Sequence, residues 1–119
     1  MKEPRLIELT EMKPGYLENI NNLLSQLSDS VHTITEEELN SLLSSSQSHL
    51  YGLESDGQFI GMTTLCLDQC PTGWKAWIED VVVDAQYRGK GYAKLLVNHA
   101  IDVIREKAQS YGNLSLMLT

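Results

Sequence analysis

The chain has 119 residues, of which 42% are hydrophobic and 21% are charged, and this composition excludes an intrinsically disordered protein. The length suits one domain and excludes a two-domain enzyme. A formal net charge of −7 at pH 7 disfavours nucleic acid as a partner, since phosphate binding requires clustered Lys and Arg. We therefore expect residues 1–119 to fold as one domain.

The predicted compartment is the cytoplasm, and no membrane partner is expected. The chain has no run of about 18 apolar residues that could span a bilayer, and residues 1–5 lack the apolar core of a signal peptide. Cys66 and Cys70 have no histidine near them in sequence, so they indicate neither a zinc site nor a disulfide framework. No metal is predicted, because the histidines at positions 32, 49 and 99 form no ligand constellation.

The first third of the chain predicts one strand followed by two helices. Residues 5–10 alternate apolar and polar side chains, as a half-buried strand does. Residues 16–27 repeat apolar side chains every three or four positions, which places them on one face of a helix. Thr35 and Glu38 form a capping-box pattern, and Ile34 and Leu39 form a hydrophobic staple, so a second helix begins after Thr35.

The middle of the chain predicts an antiparallel meander of three strands. Residues 50–54 and 58–67 flank the dipeptide Asp56-Gly57, which is a strong signal for a tight hairpin turn. A third strand spans residues 74–83 and ends in three consecutive valines.

The last part predicts a helix and a final strand. Apolar residues recur at helical spacing and form one stripe, made of Ala93, Leu96, Val97, Ala100, Ile101, Ile104 and Ala108. Residues 114–118 then alternate as a strand. A strand, helix, strand unit implies a parallel pair joined by a right-handed crossover. The predicted fold class is therefore α/β, a mixed sheet in which an antiparallel meander precedes a β-α-β unit.

The segment 84–94 has the features of an anion-binding turn. It places two glycines and three cationic side chains at the start of a helix, where backbone N–H groups have no helical partner and the helix dipole is positive. A Walker A loop is excluded, because Gly91 follows Gly89-Lys90 where that loop needs a hydroxyl. A Rossmann turn is disfavoured, because Lys94 takes the place of its third small residue and the turn follows an antiparallel meander.

The pattern Gln86-x-x-Gly89-x-Gly91 after a valine-rich strand resembles the signature Gln/Arg-x-x-Gly-x-Gly/Ala of the GNAT superfamily of N-acetyltransferases. This resemblance implies a GNAT-like fold, acetyl-CoA as cofactor, and transfer of the acetyl group to a primary amine of a small molecule or peptide. It also implies that strand backbone contacts the pantetheine arm and that turn amides cradle the pyrophosphate. The implied cofactor-binding residues are Val81, Val82, Val83, Arg88, Gly89, Lys90, Gly91, Tyr92, Ala93 and Lys94.

Glu79 is the candidate general base, because removing the ammonium proton of an amine requires a positioned carboxylate and some GNAT enzymes use a glutamate at the matching place. Simple strand alternation predicts that its neighbour Asp80 points to the opposite face of the sheet. Trp74 and Trp77 are candidates either for an acceptor pocket or for ordinary packing.

GNAT chains usually continue with a further helix and two strands, and that helix often supplies a tyrosine that protonates the leaving thiolate. No position of this sequence matches these elements, so we expect a C-terminally truncated form of the fold, which is either a fragment of a longer protein or a short variant that completes its sheet with a partner. The open edge of the last strand then predicts a homodimer. The alternative function is a non-catalytic module that binds acyl-CoA or dimerises.

Overall fold

The computed structural model describes residues 3–27, 33–111 and 114–118, and it describes side chains as far as residue 109. The strands are β1 (Arg5–Leu9), β2 (Ser48–Ser55), β3 (Gln58–Cys70), β4 (Gly73–Val83) and β5 (Leu114–Leu118). The α-helices are α1 (Tyr16–Ser25), α2 (Glu36–Ser44) and α3 (Tyr92–Tyr111), and a short 3₁₀ helix spans Ala85–Tyr87.

The five strands form one sheet in the order β1-β2-β3-β4-β5. The first three neighbouring pairs are antiparallel, whereas β4 and β5 are parallel and are joined by α3. The predicted mixed sheet, with a meander followed by a β-α-β unit, is confirmed. At the β2–β3 turn Asp56 and Gly57 have φ values of 52° and 80°, as a hairpin turn with two left-handed residues requires.

Helices α1 and α2 cover one face of the sheet. Their apolar side chains form a single core with those of the strands, made of Leu9, Ile20, Leu23, Leu24, Leu39, Leu50, Phe59, Met62 and Val82. The predicted capping box at α2 is present: Glu38 N–H donates to Thr35 Oγ1 at 3.1 Å, and Thr35 N–H donates to Glu38 Oε1 at 2.9 Å. Ile34 packs against the same core as Leu39, in agreement with the predicted staple.

Helix α3 covers the other face. Leu96, Ala100 and Ile104 are buried against β3 and β4, which confirms the predicted apolar stripe along most of the helix. The stripe prediction is wrong at Ala93, which is exposed. Tyr92 packs into the core instead, because it lies four residues before Leu96 and so shares its face. No helix within the described ranges is long and apolar enough to cross a membrane.

Candidate active site

A β-bulge interrupts β4 directly after Glu79, the predicted general base. Glu79 pairs with Thr64 and Val82 pairs with Met62, so Asp80 and Val81 together stand opposite a single residue of β3, Thr63. Asp80 takes the left-handed conformation, with φ 54°. The buried Thr63 hydroxyl donates to the Glu79 carbonyl at 3.1 Å and so satisfies a backbone group beside the bulge.

The bulge changes which side chains share a face. Val82 enters the core under α1 and α2, whereas Val81 and Val83 pack against the clusters under α3. The bulge breaks simple alternation at Asp80, so the predicted opposite orientation of Asp80 and Glu79 does not follow from strand periodicity. The extra residue is left without a partner on β3 and locally disrupts the ladder.

The two halves of β4 differ in their pairing with β5. Within the described residues, β5 pairs with β4 from Trp74 to Ile78. From Glu79 to Val83, β4 has a described partner strand only on the β3 side. Along this stretch the Val83 carbonyl bonds Arg88 Nε at 3.0 Å, and the other backbone groups of Val81 to Val83 that face away from β3 have no described partner strand. The family resemblance implied that this backbone contacts an extended cofactor arm.

The loop after β4 is held in place by its own polar groups. Asp84 Oδ1 accepts the Gln86 N–H at 2.9 Å, and the Asp84 carbonyl accepts the Tyr87 N–H at 2.8 Å. Arg88 Nε donates to the Val83 carbonyl at 3.0 Å, so its guanidinium stays close to the end of β4. Lys90 Nζ lies 5.7 Å from the centre of the Tyr87 ring. These contacts give the predicted anion turn a defined shape and local positive charge.

Both glycines of this turn are required by its backbone. Gly89 and Gly91 have φ 83°, a conformation that side-chain-bearing residues adopt only with strain, and no atom lies within 4 Å of a Cβ added at either position. The open space fits the close approach of a phosphate. Leu95 N–H bonds the Gly91 carbonyl at 3.1 Å, so the amides before it have no partner within the helix; they belong to Tyr92, Ala93 and Lys94.

Glu79 lies on the face covered by α1 and α2. It stands opposite Thr64, which in turn pairs with Leu50 of that core, and directly opposed strand residues share a face. The Glu79 side chain is half-buried, and its carboxylate makes no hydrogen bond or ion pair with the described part of the chain.

The neighbouring Asp80 carboxyl has a raised pKa. Partial desolvation is the larger cause, and the negative charge of Glu79 adds to it.

The two tryptophans have different surroundings. Trp74 packs against the core under α3, which favours the packing interpretation. Trp77 pairs with Cys66 of β3 and lies two residues before Glu79, on the same face, so it remains a candidate wall of an acceptor pocket.

Burial raises the pKa of the Cys66 thiol. A hydrogen bond from Ser48 lowers this pKa, and nearby carboxylates raise it further. Both cysteines are free thiols.

The histidines lie away from this turn where they are described. His49 Nδ1 is 2.8 Å from Glu8 Oε2, and His99 packs edge-on against Tyr51 with ring centres 4.7 Å apart. His32 lies outside the described residues. No group of side chains suited to holding a metal ion occurs in the ranges that the structure describes.

Sequence reasoning missed Gln26, at the C-terminus of α1. Gln26 Oε1 accepts the Ala85 N–H at 2.8 Å, and Gln26 Nε2 donates to Asp84 Oδ2 at 3.3 Å. No local pattern signals this contact, because the partners are 58 and 59 residues away in sequence. The capping role of Asp84 could have been found, since an Asp two residues before a turn amide is a common cap.

The family comparison matches residues 17–116 to the acetyltransferase (GNAT) family. The match covers most of the chain, and it includes β4, the glycine turn and α3. The chain therefore belongs to the GNAT acetyltransferase family, as its sequence resemblance indicated. A search of curated proteins finds no match.

Solved structures share the fold over nearly the whole chain. A proposed acetyltransferase from Agrobacterium tumefaciens is 25% identical with a TM-score of 0.74, over 97% of this chain and 80% of that one. An acetyltransferase of Trypanosoma brucei is 20% identical with a TM-score of 0.76, over 98% of this chain and 82% of that one. Glucosamine-6-phosphate N-acetyltransferase of Arabidopsis thaliana is 20% identical with a TM-score of 0.71, over 97% of this chain and 82% of that one.

Proposed function

We propose that this chain is an N-acetyltransferase that moves an acetyl group from acetyl-CoA to a primary amine of a small molecule or peptide. One observation carries the proposal. A glycine turn suited to anions, at the start of α3, follows directly on the part of β4 that contains the bulge and the half-buried carboxylate of Glu79. Membership of the GNAT family supports the same reaction class.

The residues present fit coenzyme A. The free amides at the start of α3, together with the side chains of Arg88, Lys90 and Lys94, suit a pyrophosphate, and the open space at Gly89 and Gly91 lets it approach the backbone. The side of β4 from Val81 to Val83 that lacks a described partner strand, apart from the Val83 carbonyl bonded to Arg88, suits the amide groups of a pantetheine arm. When bound, acetyl-CoA supplies an activated acetyl group as a thioester.

In this proposal Glu79 removes the proton from the acceptor amine. An ammonium group is not nucleophilic, and a carboxylate accepts its proton either directly or through one water. Glu79 suits this role because its carboxylate is not committed to another described group and lies beside the bulge. The backbone N–H of Val81 or Val82 is the candidate donor for polarising an acyl oxygen, because the bulge disrupts the ladder beside these residues.

Two measurements test the function. Calorimetry with coenzyme A tests binding, and release of free thiol from acetyl-CoA in the presence of a panel of primary amines tests transfer. We expect binding together with amine-dependent thiol release. Binding without release for any amine would favour the non-catalytic acyl-CoA module, and absence of binding would refute both functions.

We also propose that residues 1–119 act as one domain in a homodimer. All described strands belong to one sheet, which supports one domain. The edge of β5 that faces away from β4 has no partner among the described strands, which supports association through that edge.

A further inference from the structure

Helix α1 carries side-chain amides that bond distant parts of the chain. Asn19 Nδ2 donates to the Phe59 carbonyl at 2.9 Å and Asn19 Oδ1 accepts the Phe59 N–H, so this amide fixes α1 on β3. Asn21 binds Ile34 in the same two-point manner, at 2.8 and 3.1 Å, before α2 begins. Gln26 is the amide at the other end of α1, and its partners belong to the loop that precedes the glycine turn.

Gln26 holds two consecutive points of this loop. It bonds the Ala85 N–H and one oxygen of the Asp84 carboxylate, while the other Asp84 oxygen accepts the Gln86 N–H. The Asp84 N–H bonds the Ile60 carbonyl at 2.8 Å, so the start of the loop is also anchored on β3. A continuous set of hydrogen bonds thus runs from α1 to Gln86, the first residue of the glycine motif.

We propose that Gln26 is a positioning residue for the cofactor loop. Its carboxamide fixes the first turn of the loop, so that the amides around Gly89 and Gly91 are ordered before an anion arrives. A loop that is already ordered binds its ligand with higher affinity, because binding then loses less conformational entropy. The inference rests on the proposed binding of acetyl-CoA. It adds a residue of α1, outside the motif, to the determinants of cofactor affinity.

The competing explanation is that Gln26 only fastens α1 to the sheet, as Asn19 does. Asn19→Ala is therefore a matched control, because it removes a two-point side-chain amide contact from the same helix at a site that bonds β3 and not the loop. Both variants should lower the free energy of unfolding, measured with urea. Only the loss of Gln26 should change the binding of coenzyme A.

The first experiment measures the dissociation constant of coenzyme A by calorimetry for the wild type, Gln26→Ala and Asn19→Ala. Two lost hydrogen bonds to the loop should weaken binding by roughly 5- to 20-fold in Gln26→Ala. Asn19→Ala should bind within about twofold of the wild type. Equal affinity of Gln26→Ala and the wild type would overturn the inference, as would an equal loss in both variants.

The second experiment uses Gln26→Glu, which keeps the size of the side chain and serves if Gln26→Ala folds poorly. The new carboxylate faces Asp84; among the cations of this turn, Arg88 is bonded through Nε to the Val83 carbonyl and Lys90 lies over the Tyr87 ring. A carboxylate at position 26 still accepts the Ala85 N–H but cannot donate to Asp84, so above pH 7 the two carboxylates repel and the contact with Asp84 is lost. Near pH 5 a proton shared between the two carboxylates restores the donor. The ratio of variant to wild-type dissociation constants should fall towards one as pH falls. A ratio that does not change with pH would contradict the inference.

The two proposals fail in different ways. If the wild type does not bind coenzyme A, the proposed function is wrong and the role of Gln26 falls with it. If the wild type binds and both Gln26 variants bind equally well at every pH, the proposed function stands and only the positioning role is wrong.

Discussion

Two adjacent carboxylates on β4 have different environments because of one backbone irregularity. Glu79 lies in the regular part of the ladder and is half-buried, whereas Asp80 is exposed and takes the left-handed conformation of the bulge. Replacing each carboxylate by its amide distinguishes them while keeping shape. Asn tolerates the left-handed region as Asp does, so Asp80→Asn is a control that does not strain the bulge.

We expect Glu79→Gln to lower kcat/KM for an accepted amine by roughly 100-fold or more, the usual contribution of a general base. The dissociation constant of coenzyme A should stay near that of the wild type, and the dependence of kcat/KM on pH should largely disappear. Asp80→Asn should retain most of the activity. Thiol release and calorimetry provide both measurements, and a Glu79→Gln enzyme as fast as the wild type would remove Glu79 as the base.

A second prediction at this scale concerns the glycine before α3. Gly91 precedes α3 with φ 83°, and Gly15 precedes α1 in the same way with φ 87°. The carbonyl of each glycine accepts the first hydrogen bond of its helix. Neither position has an atom within 4 Å of an added Cβ. Glutamate at either site costs about 1–2 kcal/mol of backbone strain. We expect only Gly91→Glu to abolish coenzyme A binding, because its carboxylate would lie where we propose that a phosphate binds. Unchanged affinity in a folded Gly91→Glu would exclude this turn as the site.

At the scale of elements, the start of α2 depends on local hydrogen bonds. Thr35 and Glu38 bond each other's backbone N–H groups, which are otherwise left without partners at a helix start. Thr35→Ala should lower the free energy of unfolding by about 1 kcal/mol, measured with urea. Ser41→Ala, at an exposed position of the same helix, should have little effect. Equal stability of Thr35→Ala and the wild type would show that tertiary packing alone holds this end of the helix.

At the scale of the whole molecule, the sheet has two outer strands, and β5 is one of them within the described residues. Residues 114–118 contain no Pro and no charged residue, the features that commonly block pairing at an edge. We expect the protein to sediment as a dimer at micromolar concentration and Leu116→Lys to shift it towards monomer. A soluble, folded wild-type monomer would contradict the homodimer proposal.

The sequence predicted the order and nature of all eight main elements, with boundaries within about three residues. Those predictions succeeded because they depend on local physics. Helical spacing, the hairpin signal of Asp56-Gly57 and the Thr35 capping box are interactions between residues a few positions apart. The glycine motif belongs to the same class, since its conformation is imposed by the missing side chains of Gly89 and Gly91.

The tertiary structure decided what depends on partners far away in the chain. The bulge at Asp80 exists only against the register of Met62 and Thr64 on β3, and no run of residues within β4 indicates it. Strand alternation places Trp74 and Trp77 on opposite faces, but the packing of the helices decides which face α3 covers and so which tryptophan packs against its core. The contact of Gln26 with Asp84 joins residues 58 positions apart. Local patterns specify conformation, but the pairing of distant groups is settled only when the sheet and helices pack together.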